Sequence, residues 1–267
     1  MKIDRALLSS TCVTRDYLDF WDPVSAVWSE VFGIRPILAF LGTHAEMEAA
    51  NLSQEHGDIV RLDVVPGMSL RWQATWALFY VSRFVPQEQF CITMGIEEIP
   101  ISKNFIRYIG ELPDDAYFCA FGDGRWREGE HTIPSAWHCA QARLFSEVYQ
   151  FEASFEAEIY KLDAKRNIYP NWESAPLAPG SDKWGMDETW STSCLRNSNA
   201  HVVIHPKLIM KFDADLNRLS REDIRDHTYT IKDMAAHRYM EAQLPKPYAS
   251  FREQNERLFA EVREANT

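Results

Sequence analysis

The chain has 267 residues, 46% hydrophobic and 13% aromatic, enough to bury the core of one large domain or of a domain with a smaller subdomain. Its net charge of -11 excludes a protein that holds nucleic acid mainly by neutralising phosphates, and leaves room for a local basic pocket around one phosphorylated small molecule. No apolar run approaches the roughly 20 residues that span a bilayer, and the first residues do not resemble a secretory segment, so a soluble, cytoplasmic protein is expected.

Ala6 to Ser10 is a short apolar run leading into "SSTCVT", small and hydroxyl-bearing residues that form a loop able to approach a ligand closely. Trp21, Val24, Trp28 and Val31 recur at helical spacing, and Gly33 closes that helix. "IRPILAFLG" reads as a buried strand and "GDIVRLDVV" (57 to 65) as another, followed by a helix whose stripe is Leu70, Ala74, Ala77, Leu78 and Val81. "QFCITM" is a further strand, and it runs into "GIEEIPIS", where two carboxylates, Glu97 and Glu98, stand before a proline. "AYFCAF" is a strand, "GDGRWREGEHTIPS" a polar excursion, and Leu144, Val148, Phe151, Phe155, Ile159 and Leu162 define one long amphipathic helix. An irregular loop spans 167 to 185, a helix begins near Asp187, and the tail from Lys246 to Asn266 is a charged helix packed on Phe251, Leu258 and Val262. Strands alternating with helices imply an α/β fold, a mixed, mainly parallel sheet flanked by helices with a helical C-terminal extension. Its ligands are expected at the carboxyl ends of the strands.

The familiar phosphate-loop, dinucleotide, serine-hydrolase and zinc-protease fingerprints are absent. "FDADLNRLSRED" imitates a calcium loop, but Arg218 replaces the glycine of the turn and Ile224 the closing carboxylate. Five cysteines with no C-x-x-C pair read as reduced core thiols, and His138 beside Cys139 is not a metal pair, because backbone neighbours seldom face one ion. Asp187 and Glu188 open a helix after a glycine turn, where they serve either as caps favoured by the helix dipole or as a general base for an acceptor hydroxyl. Glu97 and Glu98 close a strand, so their side chains are expected on opposite faces, with at most one toward a ligand. Gln73 lies in an apolar helix face, as a buried structural amide or a ligand contact.

The ordered segments "SSTCVTRDYLDFWDPVSAVWSEVFGIRPILAFLG", "GDIVRLDVV", "SLRWQATWALFYVSRF" and "CITMGIEEIPISKNFI", then "IPSAWHCAQARLF", "WGMDETW", "NRLSRED" and "LPKPY", resemble a nucleotide-sugar glycosyltransferase of the GT-A fold. The resemblance implies a single domain over 1–267, with a nucleotide-sugar half at 1–110, an acceptor half at 111–245 and a C-terminal helix at 246–267. It implies transfer of a sugar from a UDP or GDP donor to a glycan or other hydroxyl acceptor, with polysaccharide biosynthesis as the setting; the alternative is an inactive module that binds glycan or a partner protein. Ser10, Thr11 and Cys12, with Asp58, would hold the nucleoside, Arg71 and Gln73 would support the donor, and Asp187 with Glu188 would serve the acceptor, Asp187 as base. The family's Asp-x-Asp motif holds a divalent cation, manganese or magnesium, on the diphosphate. Aligned by Ile96 and Pro100, Gly95 stands at the first Asp and Glu97 at the second, leaving Glu97 as a metal ligand with one histidine of "HVVIH", where His201 and His205 share a face, His205 being the one taken. Three outcomes are open: Glu97 holds a metal, cationic side chains replace it, or activity is lost. For the second, Arg61, Arg71, Lys207 and Lys211 are the candidates.

Overall fold

The computed structural model describes residues 2–11, 15–119, 133–165, 186–204 and 217–267. In chain order these form β1 (Ile3–Thr11), α1 (Arg15–Leu18), α2 (Trp21–Phe32), β2 (Arg35–Leu41), α3 (His44–Ala50), β3 (Asp58–Leu62), α4 (Leu70–Tyr80), β4 (Phe90–Thr93), β5 (Glu98–Pro100), α5 (Lys103–Gly110) and β6 (Ala116–Cys119). There follow β7 (His138–Gln141), α6 (Ala142–Tyr149), α7 (Phe155–Lys165), α8 (Met186–Asn197), β8 (His201–Ile204), β9 (Asn217–Leu219), α9 (Arg221–Asp226), α10 (Ile231–Ala235), β10 (Tyr239–Gln243) and α11 (Arg252–Ala265). Among the described residues seven strands make one sheet, ordered β3-β2-β1-β4-β7-β6-β8, in which β7 runs against its neighbours and the other pairings are parallel. A smaller sheet, β5-β10-β9, starts just beyond β4. The expected α/β architecture, mainly parallel and closed by a C-terminal helix, is the one found.

Both faces of the large sheet are covered, which is why its strands are apolar throughout. Ala6 and Leu8 of β1 join a core with Trp21, Val24 and Trp28 of α2 and Leu258, Phe259 and Val262 of α11. Leu7 points the other way, into a core with Trp76 and Phe79 of α4, Phe145 of α6 and Leu162 of α7. Helix α2 ends as its sequence requires: Gly33 takes a left-handed φ of 67° and its N–H donates to Ser29 O at 3.1 Å. The Trp21 indole N–H donates to Ser53 O at 2.7 Å, and the ring lies flush on the backbone of Gly57, where a Cβ would stand 2.5 Å from Trp21 Cη2 and 2.9 Å from Pro36 O.

Two elements are shorter than the periodicity implies. The stripe from Leu144 to Leu162 is carried by two helices, α6 and α7: Gln150 turns left-handed at φ 49°, and Ser154 Oγ accepts the Ala157 N–H at 3.1 Å to begin the second. Both helices bury into the same core, so the apolar spacing runs through the break. Strand β3 stops at Leu62 because the backbone of Val65 is claimed by a side chain. Gln73 Oε1 accepts from Val65 N at 2.8 Å, and its Nε2 donates to Val65 O at 3.0 Å and Met68 O at 3.3 Å. His138 is a core histidine: burial pushes it down to about 4, its Nε2 meets Pro134 O at 2.6 Å, and its Nδ1 lies 3.0 Å from Tyr117 OH.

The small sheet is joined to the large one by charge. Each of its strands supplies one member of a buried cluster: Glu98 from β5, Arg218 from β9 and Glu241 from β10. Arg218 is hydrogen-bonded to Glu98 and brings its Nε 3.0 Å from Glu241 Oε1, while Glu241 accepts the indole N–H of Trp137, the residue before β7. Two buried carboxylates face this guanidinium, and burial pushes both up, Glu241 to about 8, against the pull of Arg218.

Two outcomes follow from this packing. The folded protein holds a proton on Glu241 that the unfolded chain releases, so this contribution to stability is complete below pH about 4.5 and is lost as pH rises through about 8. Glu241→Gln is expected to flatten the fall in denaturation midpoint across that interval, where one proton accounts for up to about 1.4 kcal/mol per pH unit; an unchanged pH slope refutes the assignment. Gly57→Ala is expected to destabilise by about 1–3 kcal/mol in urea unfolding, since the Trp21 ring and Pro36 O leave no space for a methyl group.

Candidate functional site

Because β1, β2, β3 and β4 are parallel, their last residues Thr11, Leu41, Leu62 and Thr93 lie along one edge of the sheet. Helix α8 ends shortly before β8, which runs parallel to β6, so its first turn points toward that same edge. Loops at such an edge bind ligands in open α/β sheets.

The acidic stretch leaves β4 here. Ile96 and Glu97 do not continue the strand; they form a turn closed by the Glu98 N–H donating to Gly95 O at 3.0 Å. Opposite faces are a property of extended chain, and in this turn both carboxylates fold back onto Gly95. The Gly95 N–H donates to Glu98 Oε2 at 2.9 Å, and a Cβ on residue 95 would meet Glu98 Oε2 at 3.0 Å and Glu97 Oε2 at 3.2 Å.

Cations from far along the chain complete the turn. Glu97 Oε1 accepts from Arg221 Nη2 at 3.3 Å and from Lys246 Nζ at 3.4 Å. The Leu244 N–H donates to Glu97 O at 2.8 Å and Arg221 Nε donates to Leu244 O at 3.2 Å, so the segment before Lys246 is laced to the turn through its backbone. Lys246 also stands over the ring of Tyr17, 4.4 Å from its centroid, and hydrogen-bonds the phenol oxygen. With the Arg218 cluster alongside, Glu97, Glu98 and Glu241 face Arg218, Arg221 and Lys246.

The residues singled out from the sequence are distributed as follows. Ser10 is buried one residue before the end of β1, and its Oγ has no hydrogen-bond partner; Thr11 ends the strand. Glu188 is half-buried in the first turn of α8 beside Asp187, its carbonyl accepting Ser191 Oγ at 3.1 Å. Arg71 is exposed in the first turn of α4, and Arg61, near the end of β3, is paired with Asp63. Gln73 commits its amide to the loop after β3, as described above. Asp58 is not brought to this edge. It is the first residue of β3, and at the opposite edge it accepts from Arg5 Nη1 at 2.6 Å and Arg35 Nη2 at 2.9 Å, which hold its carboxyl below the usual range. His201 opens β8, exposed, also at that opposite edge. Cys12, His205, Lys207 and Lys211 and the side chain of Asp187 lie outside the described residues.

Tyr17, Arg218, Arg221, Glu241 and Lys246 are not among the site residues expected from the sequence. The sequence does contain a signal for two of them, the basic pair spaced by three in "NRLSRED", but their acidic partners stand about 120 residues earlier. A divalent cation finds no ready place here: among the described residues no three His, Cys, Asp or Glu are grouped to hold one, and the carboxylates that converge are already matched by guanidinium and ammonium groups.

No helix among the described residues is long and apolar enough to cross a membrane. No protein-family model matches the sequence, and no curated protein matches it. Solved structures do resemble it. A crystal structure of the galactosyltransferase LgtC in complex with donor and acceptor sugar analogues superposes with a TM-score of 0.53 at 11% identity, over 97% of this chain and 95% of that one. An active-site variant of LgtC gives 0.51 at 11% identity, over 97% and 94%. At this identity the likeness establishes the fold, which is GT-A-like along nearly the whole chain.

Proposed function

We propose that the protein is a glycosyltransferase that moves a sugar from a nucleoside diphosphate donor, UDP or GDP, to a hydroxyl acceptor, in the synthesis of a glycan or surface polysaccharide in the cytoplasm. One observation carries the reading. The neighbouring strands β1 and β4 end at one edge, β1 with a buried hydroxyl without a partner, Ser10 Oγ, and β4 with a turn where Glu97 presents two cations, Arg221 and Lys246. A buried polar group without a partner is unfavourable until a ligand supplies one.

Transfer breaks the bond between the sugar's anomeric carbon and the diphosphate oxygen and forms one to the acceptor oxygen, while the acceptor hydroxyl gives up its proton. Charge therefore grows on the departing diphosphate, and groups fixed opposite that charge lower the barrier. In this reading Ser10 and Thr11 hold the nucleoside, and the side chains around Glu97 meet the diphosphate. Asp187, followed by Glu188 at the start of α8, takes the acceptor proton.

Calorimetric titration of the purified chain with UDP- and GDP-sugars is expected to find one that binds. Asp187→Asn should then lower kcat by roughly 100-fold or more while donor affinity stays within about threefold, because a base acts in the transition state and not in donor binding. Absence of binding by every such donor, with and without manganese, would falsify the proposal.

A further inference from the structure

We infer that Arg221, together with Lys246, takes the place of the divalent cation at Glu97, so that the donor's diphosphate is received without a metal ion. The inference rests on the glycosyltransferase reading and deepens it.

The first support is steric. A metal-binding pair of carboxylates at residues 95 and 97 needs a side chain at 95, and both Glu97 and Glu98 lie against the space it would occupy, with Glu98 Oε2 only 3.0 Å from the Cβ position. Glu98 has little freedom to withdraw. It accepts from the Gly95 N–H at 2.9 Å and is bound on its other oxygen by the guanidinium of Arg218.

The second support is electrostatic. Glu97 Oε1 already faces two positive charges, Arg221 Nη2 at 3.3 Å and Lys246 Nζ at 3.4 Å. A divalent ion on the same oxygen would be pressed between them and repelled by both, with low surrounding dielectric to magnify the repulsion. Glu98 and Glu241 do not offset this, since Arg218 lies between them.

The third support is that the cations are built to receive an anion. The Arg221 and Lys246 side chains are 31% and 23% exposed, so both reach solvent, yet each is anchored. Arg221 Nε is fixed by Leu244 O, which leaves the orientation of the guanidinium plane defined, and a planar fork of donors matches phosphate oxygens two at a time. Glu97 then acts as a positioning residue: it holds both cations at one point before the donor arrives and shares them when it binds. A nucleoside diphosphate at this place meets fixed positive charge that neither dissociates nor needs loading.

The test uses the full chain with UDP and GDP as probes, titrated calorimetrically in EDTA and again in excess manganese. Expected are affinities equal within about twofold in the two buffers, a loss of roughly tenfold or more for Arg221→Gln, and recovery of most of that loss by Arg221→Lys, which keeps the charge. Thermal melts of both variants verify that each is folded, and the Lys variant carries the test if the Gln variant is not: a normal affinity that weakens with added salt is then the supporting result. Nucleotide binding that appears only with manganese, or one equivalent of protein-bound manganese seen by electron paramagnetic resonance and lost in Glu97→Gln, overturns the inference and leaves the glycosyltransferase reading intact. Failure of both nucleotides and of every nucleotide sugar to bind in either buffer overturns both.

Discussion

A guanidinium held between two buried carboxylates organises the carboxyl edge of this protein. Arg218 reaches Glu98 on one side and Glu241 on the other, and Glu241 in turn accepts the Trp137 indole at the entrance to β7. Removing one partner from such a cluster leaves an uncompensated charge in the interior, a loss typically of about 3–5 kcal/mol, so its members stand or fall together. Three strands that are remote in sequence are fixed in register by this contact, and the turn from Gly95 to Glu98 inherits its shape. The placement of Arg221, three residues after Arg218, and of Lys246, three after the end of β10, follows from that register.

The two edges of the large sheet are specialised in different ways. At the amino edge Asp58 is clasped by Arg5 and Arg35, and Arg35 adds bonds to the carbonyls of Glu55, Gln54 and Gly57, each at 3.0 Å. Both guanidinium groups and the carboxylate there are engaged from inside the fold. At the carboxyl edge the charges are also paired, but Ser10 is left with a polar atom unpaired. Saturated polar groups stabilise a fold, and incompletely engaged ones are where ligands act.

How much of this was legible in the sequence depends on whether the signal is local. Periodicity located α2 and α4, and apolar runs located β2 and β4, because their side chains bury at the spacing their backbone dictates; the run at Ala6 was seen, but Ser9 to Thr11, read as loop from their small hydroxyl side chains, continue β1. It missed the break at Gln150, since helices on either side of a sharp turn continued to feed one core. It overextended β3, since the backbone of Val65 is taken by the side chain of Gln73, eight residues beyond Val65. The acidic turn was located and its geometry was not: the rule that neighbouring side chains diverge assumes extended backbone, and residues 96 and 97 are in a turn. The basic half of the site was the least legible, because a cation and the carboxylate it serves share no local pattern when about 120 residues separate them.

Gly95 bears on how such a site changes over evolutionary time. An aspartate introduced at residue 95 alone would not enter a vacancy; it would press on two carboxylates, one of them tied to Arg218. It is accommodated only if Glu97 and Glu98 give way by a few tenths of an ångström, and the pairing with Arg218 resists that movement of Glu98. A single step from glycine to aspartate here therefore draws on the stability of the strand cluster as well as on that of the turn.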